Sequence, residues 1–123
     1  MRIFLTGIKG FIGSHLYHHL ISLGHEVKGI DNLFHPSSNP EVPFIYGDVR
    51  YYHDIEALVK WADVTCHLAA QIHVDRSNEI PEETIDININ GTLNVLEACR
   101  KYCKRMVFAS TSEVYGSSQC EFM

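Results

Sequence analysis

Three glycines, Gly7, Gly10 and Gly13, stand at three-residue spacing behind a short apolar run and at the head of a helical pattern. Glycines so placed leave backbone N–H groups uncovered, and a helix beginning there adds the positive end of its dipole. That combination suits a phosphate, and a dinucleotide's pyrophosphate in particular. Glycine also serves ordinary turns and tight helix packing, so the triplet needs a second feature. Asp31 supplies one, closing the next strand-like run roughly 20 residues further on, where an adenosine ribose would lie. A carboxylate there accepts both ribose hydroxyls and repels a 2′-phosphate, and neither Asn32 nor Leu33 offers the arginine that would welcome one. NAD is therefore favoured over NADP. The plainer reading of Asp31 is a strand-ending residue that starts a turn.

A second group of chemical residues, Ser110, Thr111, Ser112 and Glu113, follows an apolar run near the end of the sequence. Hydroxyls and a carboxylate at a strand end can orient a sugar hydroxyl and act as general acid or base. Equally, they can form a Ser/Thr turn with a helix cap. Ala69 and Ala70 let a backbone approach a ligand closely, or make a simple tight turn. Asp48 and Val49 either border an adenine ring or, in the case of Asp48, begin a turn or helix. Residues 71–81 carry His73, Asp75, Arg76 and Ser77 and read as a loop; Arg76 meets either a substrate phosphate or a neighbouring acid among Asp75, Glu79, Glu82 and Glu83. Cys99 with Cys103, and His15 with His19, share helix faces, but neither pair has a third ligand nearby, so no metal is expected. Those two cysteines, Cys66 and Cys120 read as reduced packing residues.

Alternating strands and helices are needed to position these groups. Residues 2–6 are too short for a helix and rich enough in Ile, Phe and Leu for a buried strand. The spacing of Ile12, Leu16, Leu20 and Leu23 predicts a helix that Gly24 ends. Residues 26–30 read as strand two, and residues 32–42, with Pro36, Ser37, Ser38, Asn39 and Pro40, as a surface loop long enough to lie over an adenosine. Strand three is expected at 43–46, a short helix at 53–61 and strand four at 63–68. The longest helix, 83–102, takes Ile85, Ile89, Leu93, Leu96 and Cys103 as its main stripe. Ile87 and Val95 fall on a second apolar face, suited to another subunit or to parts of a longer protein. Gly91 costs a helix about 1 kcal/mol against alanine, which predicts a close crossing with a neighbour. Strand five is expected at 105–109.

A sequence of 123 residues makes one domain of ordinary size. With 46% hydrophobic and 20% charged residues it reads as a soluble globular chain, and no apolar run approaches the roughly 20 residues of a membrane span. Strand one begins at once, so no signal peptide and a cytoplasmic location are expected. A net charge of −5 without a basic stripe argues against nucleic acid and for small molecules.

Together these segments resemble the extended short-chain dehydrogenase/reductase family, and within it the NAD-dependent sugar-nucleotide epimerases and dehydratases. The resemblance runs from Met1 to about Gly116. It rests on Thr-Gly-x-x-Gly-Phe-Ile-Gly at 6–13, on His67-Leu-Ala-Ala-Gln and His73-Val-Asp-Arg-Ser, on Asn88-Ile-Asn-Gly-Thr-Leu-Asn-Val-Leu-Glu, and on Ser-Thr-x-Glu-Val-Tyr-Gly at 110–116. The later motifs are similar to those of nucleotide-sugar 4,6-dehydratases. The resemblance implies an α/β fold, a Rossmann-type doubly wound parallel sheet of about five strands in order 3-2-1-4-5, without the later strands and the substrate domain. It implies that Gly7, Gly10 and Gly13 line the pyrophosphate, Asp31 the ribose, Asp48 and Val49 the adenine, and Ala69 with Ala70 the inner side. Phe11, Ile12, Asn32, Leu68, Asn88 and Ser110 complete the implied cofactor contacts. Thr111 would hydrogen-bond the hexose at the oxidised carbon and Glu113 would remove the neighbouring proton. Ser112 stands where many dTDP-glucose dehydratases have an aspartate that protonates the leaving hydroxyl; GDP-mannose dehydratases and UDP-glucuronate decarboxylases often have Thr-Ser-Glu, so the substrate stays open.

The family's Tyr-x-x-x-Lys pair is missing, since none of the six tyrosines has lysine four positions later. The expectation is the amino-terminal part of an enzyme acting on a nucleotide-diphosphate sugar, able to bind cofactor without turning over. A homodimer, or association through the raw edge of strand five, is expected with it. The alternative is a stand-alone, non-catalytic nucleotide-binding or regulatory module that pairs with another chain.

Overall fold

The computed structural model describes residues 1–35 and 41–117. Residues 36–40 of the expected loop, and Cys120, lie outside them. Five parallel strands, β1 (Arg2–Thr6), β2 (Glu26–Asp31), β3 (Ile45–Tyr46), β4 (Val64–His67) and β5 (Arg105–Phe108), form one sheet in the order β3-β2-β1-β4-β5. The order reverses at β1, whose carboxyl end faces those of β2 and β4: Thr6 pairs with Ile30 on one side and His67 on the other. In a parallel doubly wound sheet that reversal opens a crevice at the strand ends.

Alternation along β1 builds the two cores. Phe4 faces one way into a cluster with Ile30, Val49, Ile55, Val59, Val95 and Ala98. Ile3 and Leu5 face the other way, with Ile8 and Val42, against Leu16, Tyr17 and Leu20 of helix α1 (Phe11–Ser22). Burial on both faces is what a central parallel strand requires. Of the stripe expected on α1, Leu16 and Leu20 are half-buried, but Ile12 and Leu23 are exposed. Helix α2 (Tyr52–Trp61) buries Ile55 and Val59 on the Phe4 side.

Four sequence expectations change. Strand β3 has only two paired residues, Ile45 and Tyr46; Pro43 has no N–H for a ladder, and Phe44 packs instead on the Ile3 and Leu5 cluster. The expected loop at 71–81 contains helix α3 (Val74–Glu79). The long helix begins earlier, running without a break through α4 (Pro81–Ile85), a π-helical turn (Asp86–Asn90) and α5 (Gly91–Lys101).

The fourth change inverts that helix. Its buried face is Ile87, Gly91, Val95, Ala98 and Cys99, whereas Ile85, Ile89, Leu93 and Leu96 are 49% to 60% exposed, and Cys103 is exposed as well. Both stripes have the helical period, so size decides between them. Gly91, Ala98 and Cys99 let the helix lie close, and a Cβ on Gly91 would stand 2.6 Å from Val49 Cγ2. The predicted close crossing is there, on the face with the smaller residues. Among the described residues no helix is long and apolar enough to cross a membrane.

Candidate functional site

A cleft of about 680 Å³ opens at the carboxyl ends of β1, β2 and β4. Its floor is the turn from β1 into α1. Gly7 has φ +71°, and a Cβ there would stand 2.9 Å from the Ala69 nitrogen. A Cβ on Gly13 would fall 2.1 Å from the Gly7 carbonyl oxygen. Gly10 is the N-cap of α1, without a side-chain cap and with no acid in the first turn. Phe11, Ile12 and Gly13, which precede the first intrahelical donor, the Ser14 amide, line the cleft. The floor is therefore free of side chains at Gly7, Gly10 and Gly13, at the positive end of a twelve-residue helix.

Asp31 ends β2 at one wall. Its Oδ2 accepts from the Lys9 amide at 3.0 Å and its Oδ1 from the Leu33 amide at 2.9 Å. Those bonds fix the carboxylate at the cleft while each oxygen keeps a lone pair. Asn32, beside it, donates from Nδ2 to Asp48 Oδ2 at 3.0 Å, and Asp48 also accepts from the Arg50 amide and guanidinium. Burial pushes the Asp48 carboxyl up, but the bonds from Arg50 and Asn32 outweigh it and hold the group below its ordinary range. Asp48 thus borders the cleft and also starts a turn, its carbonyl accepting from the Tyr51 amide.

The inner wall is Leu68, Ala69 and Ala70, with Ile87 and Ala109. Phe34, His35, Ile72 and His73 form the mouth, where the His35 and His73 rings lie 4.6 Å apart and the Arg76 guanidinium stands over Phe34. Burial, then the charges of His73 and Arg76, lower the pKa of His35. Arg76 pairs with both carboxylate oxygens of Glu83, which is the ion-pair reading of that residue.

Gly7, Gly10, Phe11, Ile12, Gly13, Asp31, Asn32, Asp48, Val49, Leu68, Ala69 and Ala70 all line this one cleft. Asn88 does not; its side-chain amide clasps the Gln71 backbone, accepting from N–H at 2.7 Å and donating to C=O at 3.0 Å. Ser110 is exposed and outside the lining, as are Thr111, Ser112 and Glu113. Thr111 Oγ1 accepts from the Glu113 amide at 3.3 Å, capping a 3₁₀ turn (Ser112–Tyr115). The helix-cap geometry weighed for this segment is present. The sequence reading missed Lys9, Phe34, His35 and Ile72 in the lining; Phe34 and His35 lie in the stretch expected to cover an adenosine, the one signal available for them. It also missed a buried network around His67, whose signal was a histidine inside an apolar strand.

The family model described as "NAD dependent epimerase/dehydratase family" matches residues 3–121. The chain belongs to that family. A UDP-N-acetyl-alpha-D-glucosaminuronate decarboxylase of Bacillus cytotoxicus is 39% identical over 98% of this chain and 40% of its own length. A putative UDP-glucose 4-epimerase of Methanocaldococcus jannaschii is 41% identical over 93% of this chain and 39% of its own. Among solved structures, the Thermus thermophilus UDP-glucose 4-epimerase in complex with NAD has a TM-score of 0.81 and 39% identity, over 90% of this chain and 38% of that one. The chain thus spans about 40% of the length of the curated relatives it matches.

Proposed function

We propose that this chain is the NAD-binding portion of a sugar-nucleotide epimerase or dehydratase, in which a hexose is transiently oxidised and the hydride returned. The observation that carries this is the cleft itself, a glycine turn with no room for side chains at Gly7 and Gly13, at a helix N-terminus and with a fixed carboxylate at the end of β2. The fit is physical: the Gly7 and Gly13 positions have no room for a Cβ, and the Asp31 lone pairs match a ribose diol. NAD, when bound, supplies the hydride acceptor and donor. The glycine turn and the first-turn amides of α1 hold its pyrophosphate, Asp31 its ribose, and Ala69 with Ala70 its inner flank.

Thr111 Oγ1 accepts from the Glu113 amide, so its own proton is left to donate to a sugar oxygen. Glu113 is the base for the carbon next to the oxidised one, and Ser112 lies beside the leaving hydroxyl. A nucleotide-diphosphate sugar is the substrate of the complete site. Association, as a homodimer or with another chain, belongs to the same reading, through the edge strand β5 and the outward stripe of Ile85, Ile89, Leu93 and Leu96.

Calorimetric titration with NAD and NADP, repeated on Asp31→Asn, tests the cofactor site. Saturable NAD binding, far weaker NADP binding and a loss of about tenfold in NAD affinity on Asp31→Asn are expected, since hydrogen bonds to a charged group are worth roughly 1.5–3 kcal/mol. Equal affinity for the two nucleotides, or an inert Asp31→Asn, would refute the assignment.

A further inference from the structure

His67 is 2% exposed at the end of β4, and both ring nitrogens are engaged by threonine hydroxyls. Nδ1 lies 2.7 Å from Thr6 Oγ1 and Nε2 2.9 Å from Thr92 Oγ1. The proton positions follow from counting. Thr92 Oγ1 gives its single proton to the Asn88 carbonyl at 2.7 Å, so towards His67 it can only accept, and Nε2 carries the ring proton. Nδ1 of the neutral ring is then an acceptor and takes the Thr6 hydroxyl proton. Thr6 Oγ1 in turn accepts the Ala69 amide at 3.1 Å and shares the Leu68 amide, at 3.1 Å, with its own backbone carbonyl at 3.2 Å. Every group in the chain gives and receives in one direction.

The two ends of this chain matter. One is the Leu68 and Ala69 backbone, which lines the cleft and which a Gly7 side chain would strike. The other is the π-helical turn, where Gly91 N–H reaches back to the Asp86 carbonyl and Asn88 clasps Gln71. Phe108 of β5 stacks on the imidazole at 5.9 Å between centroids. We infer that His67 is a positioning residue, held as the Nε2–H tautomer between Thr6 and Thr92, that fixes the Leu68 and Ala69 backbone against Gly7 and so sets the inner wall of the cofactor cleft. This rests on the reading of the cleft as a nucleotide site.

The test has two independent readouts on the full chain. In ¹⁵N NMR at pH 7 without nucleotide, His67 should show a protonated, pyrrole-type Nε2 and a bare, pyridine-type Nδ1; a proton on Nδ1 overturns the assignment. Thr92, which does not line the cleft, supplies the second. Thr92→Val removes the acceptor for Nε2–H and Thr92→Ser keeps it, so the first should raise the NAD dissociation constant about five- to tenfold and the second leave it within about twofold, as an unmet buried donor implies. A residue that merely stabilised the fold would lower the melting temperature and leave the affinity of folded protein unchanged. Equal affinity of Thr92→Val and wild type, or equal loss in both variants, overturns the proposal. A wild-type chain that binds no NAD refutes the nucleotide reading instead; the tautomer and the Ala69 amide resonance then decide, and an Ala69 signal unmoved by Thr92→Val overturns the positioning role.

Discussion

At the scale of single residues, two buried groups set different pH limits. Burial pushes the His67 pKa down from 6.5 to about 4, so the fold prefers the neutral ring. The unfolded chain takes up that proton first, and stability must fall as pH drops from 6.5 towards 4. The sum over that window is roughly 3 kcal/mol by linkage. Asp48 acts lower: its folded pKa lies below the ordinary 3.8, so its contribution is whole above that value and is lost only as pH falls further. Urea unfolding at a series of pH values should therefore show a slope between pH 6.5 and 4 that His67→Gln reduces, leaving the part due to His35, with the acid loss below 3.8 unchanged. A wild-type stability flat across the upper window would contradict a neutral buried His67. The turn reading of Asp31 is present, in its bond from the Leu33 amide, and its place at the cleft as well was legible from its position at the end of the strand after the glycine turn. His67 was not, because its meaning depends on Thr6 and Thr92, which only the sheet and the long helix bring together.

Among the elements, the long helix was read from 83 where it begins at Pro81, and with the wrong face turned to the sheet. Periodicity finds apolar stripes but does not rank two of them. The larger side chains of Ile85, Ile89, Leu93 and Leu96 looked like the core, yet the sheet took the face with Gly91 and Ala98 because it permits a closer approach. Gly91→Ala separates two opposed effects. Helix propensity alone would stabilise the variant by about 1 kcal/mol. The new Cβ would stand 2.6 Å from Val49 Cγ2, on a stiff β-branched side chain that also lines the cleft. Overpacking of this kind costs about 1–3 kcal/mol, so the variant should be less stable than wild type in thermal unfolding. A rise in melting temperature would show that the crossing is looser than described. The turn from β1 into α1 was the opposite case, since Gly7, Gly10 and Gly13 admit few arrangements once a strand precedes them and a helix follows.

At the scale of the whole molecule, alternating strand and helix patterns marked the strands, while the order in which they pair came from the family resemblance and matches the sheet. Where one strand's environment was irregular, as at Pro43 and Phe44 beside β3, the pattern overran the true pairing. The mouth of the cleft was least legible, because Phe34, His35, Ile72 and His73 meet there from separate segments with no shared period. All of these elements converge on one cleft, the place proposed for NAD. Amide chemical-shift mapping of the full chain during NAD titration tests this most directly. Saturating shifts should centre on Gly7, Gly10, Gly13, Asp31, Gly47 and Ala69, with the far ends of the strands, Arg2, Glu26 and Arg105, unmoved. Shifts confined to residues outside the cleft, or no saturable shift from a folded chain, would contradict the claim.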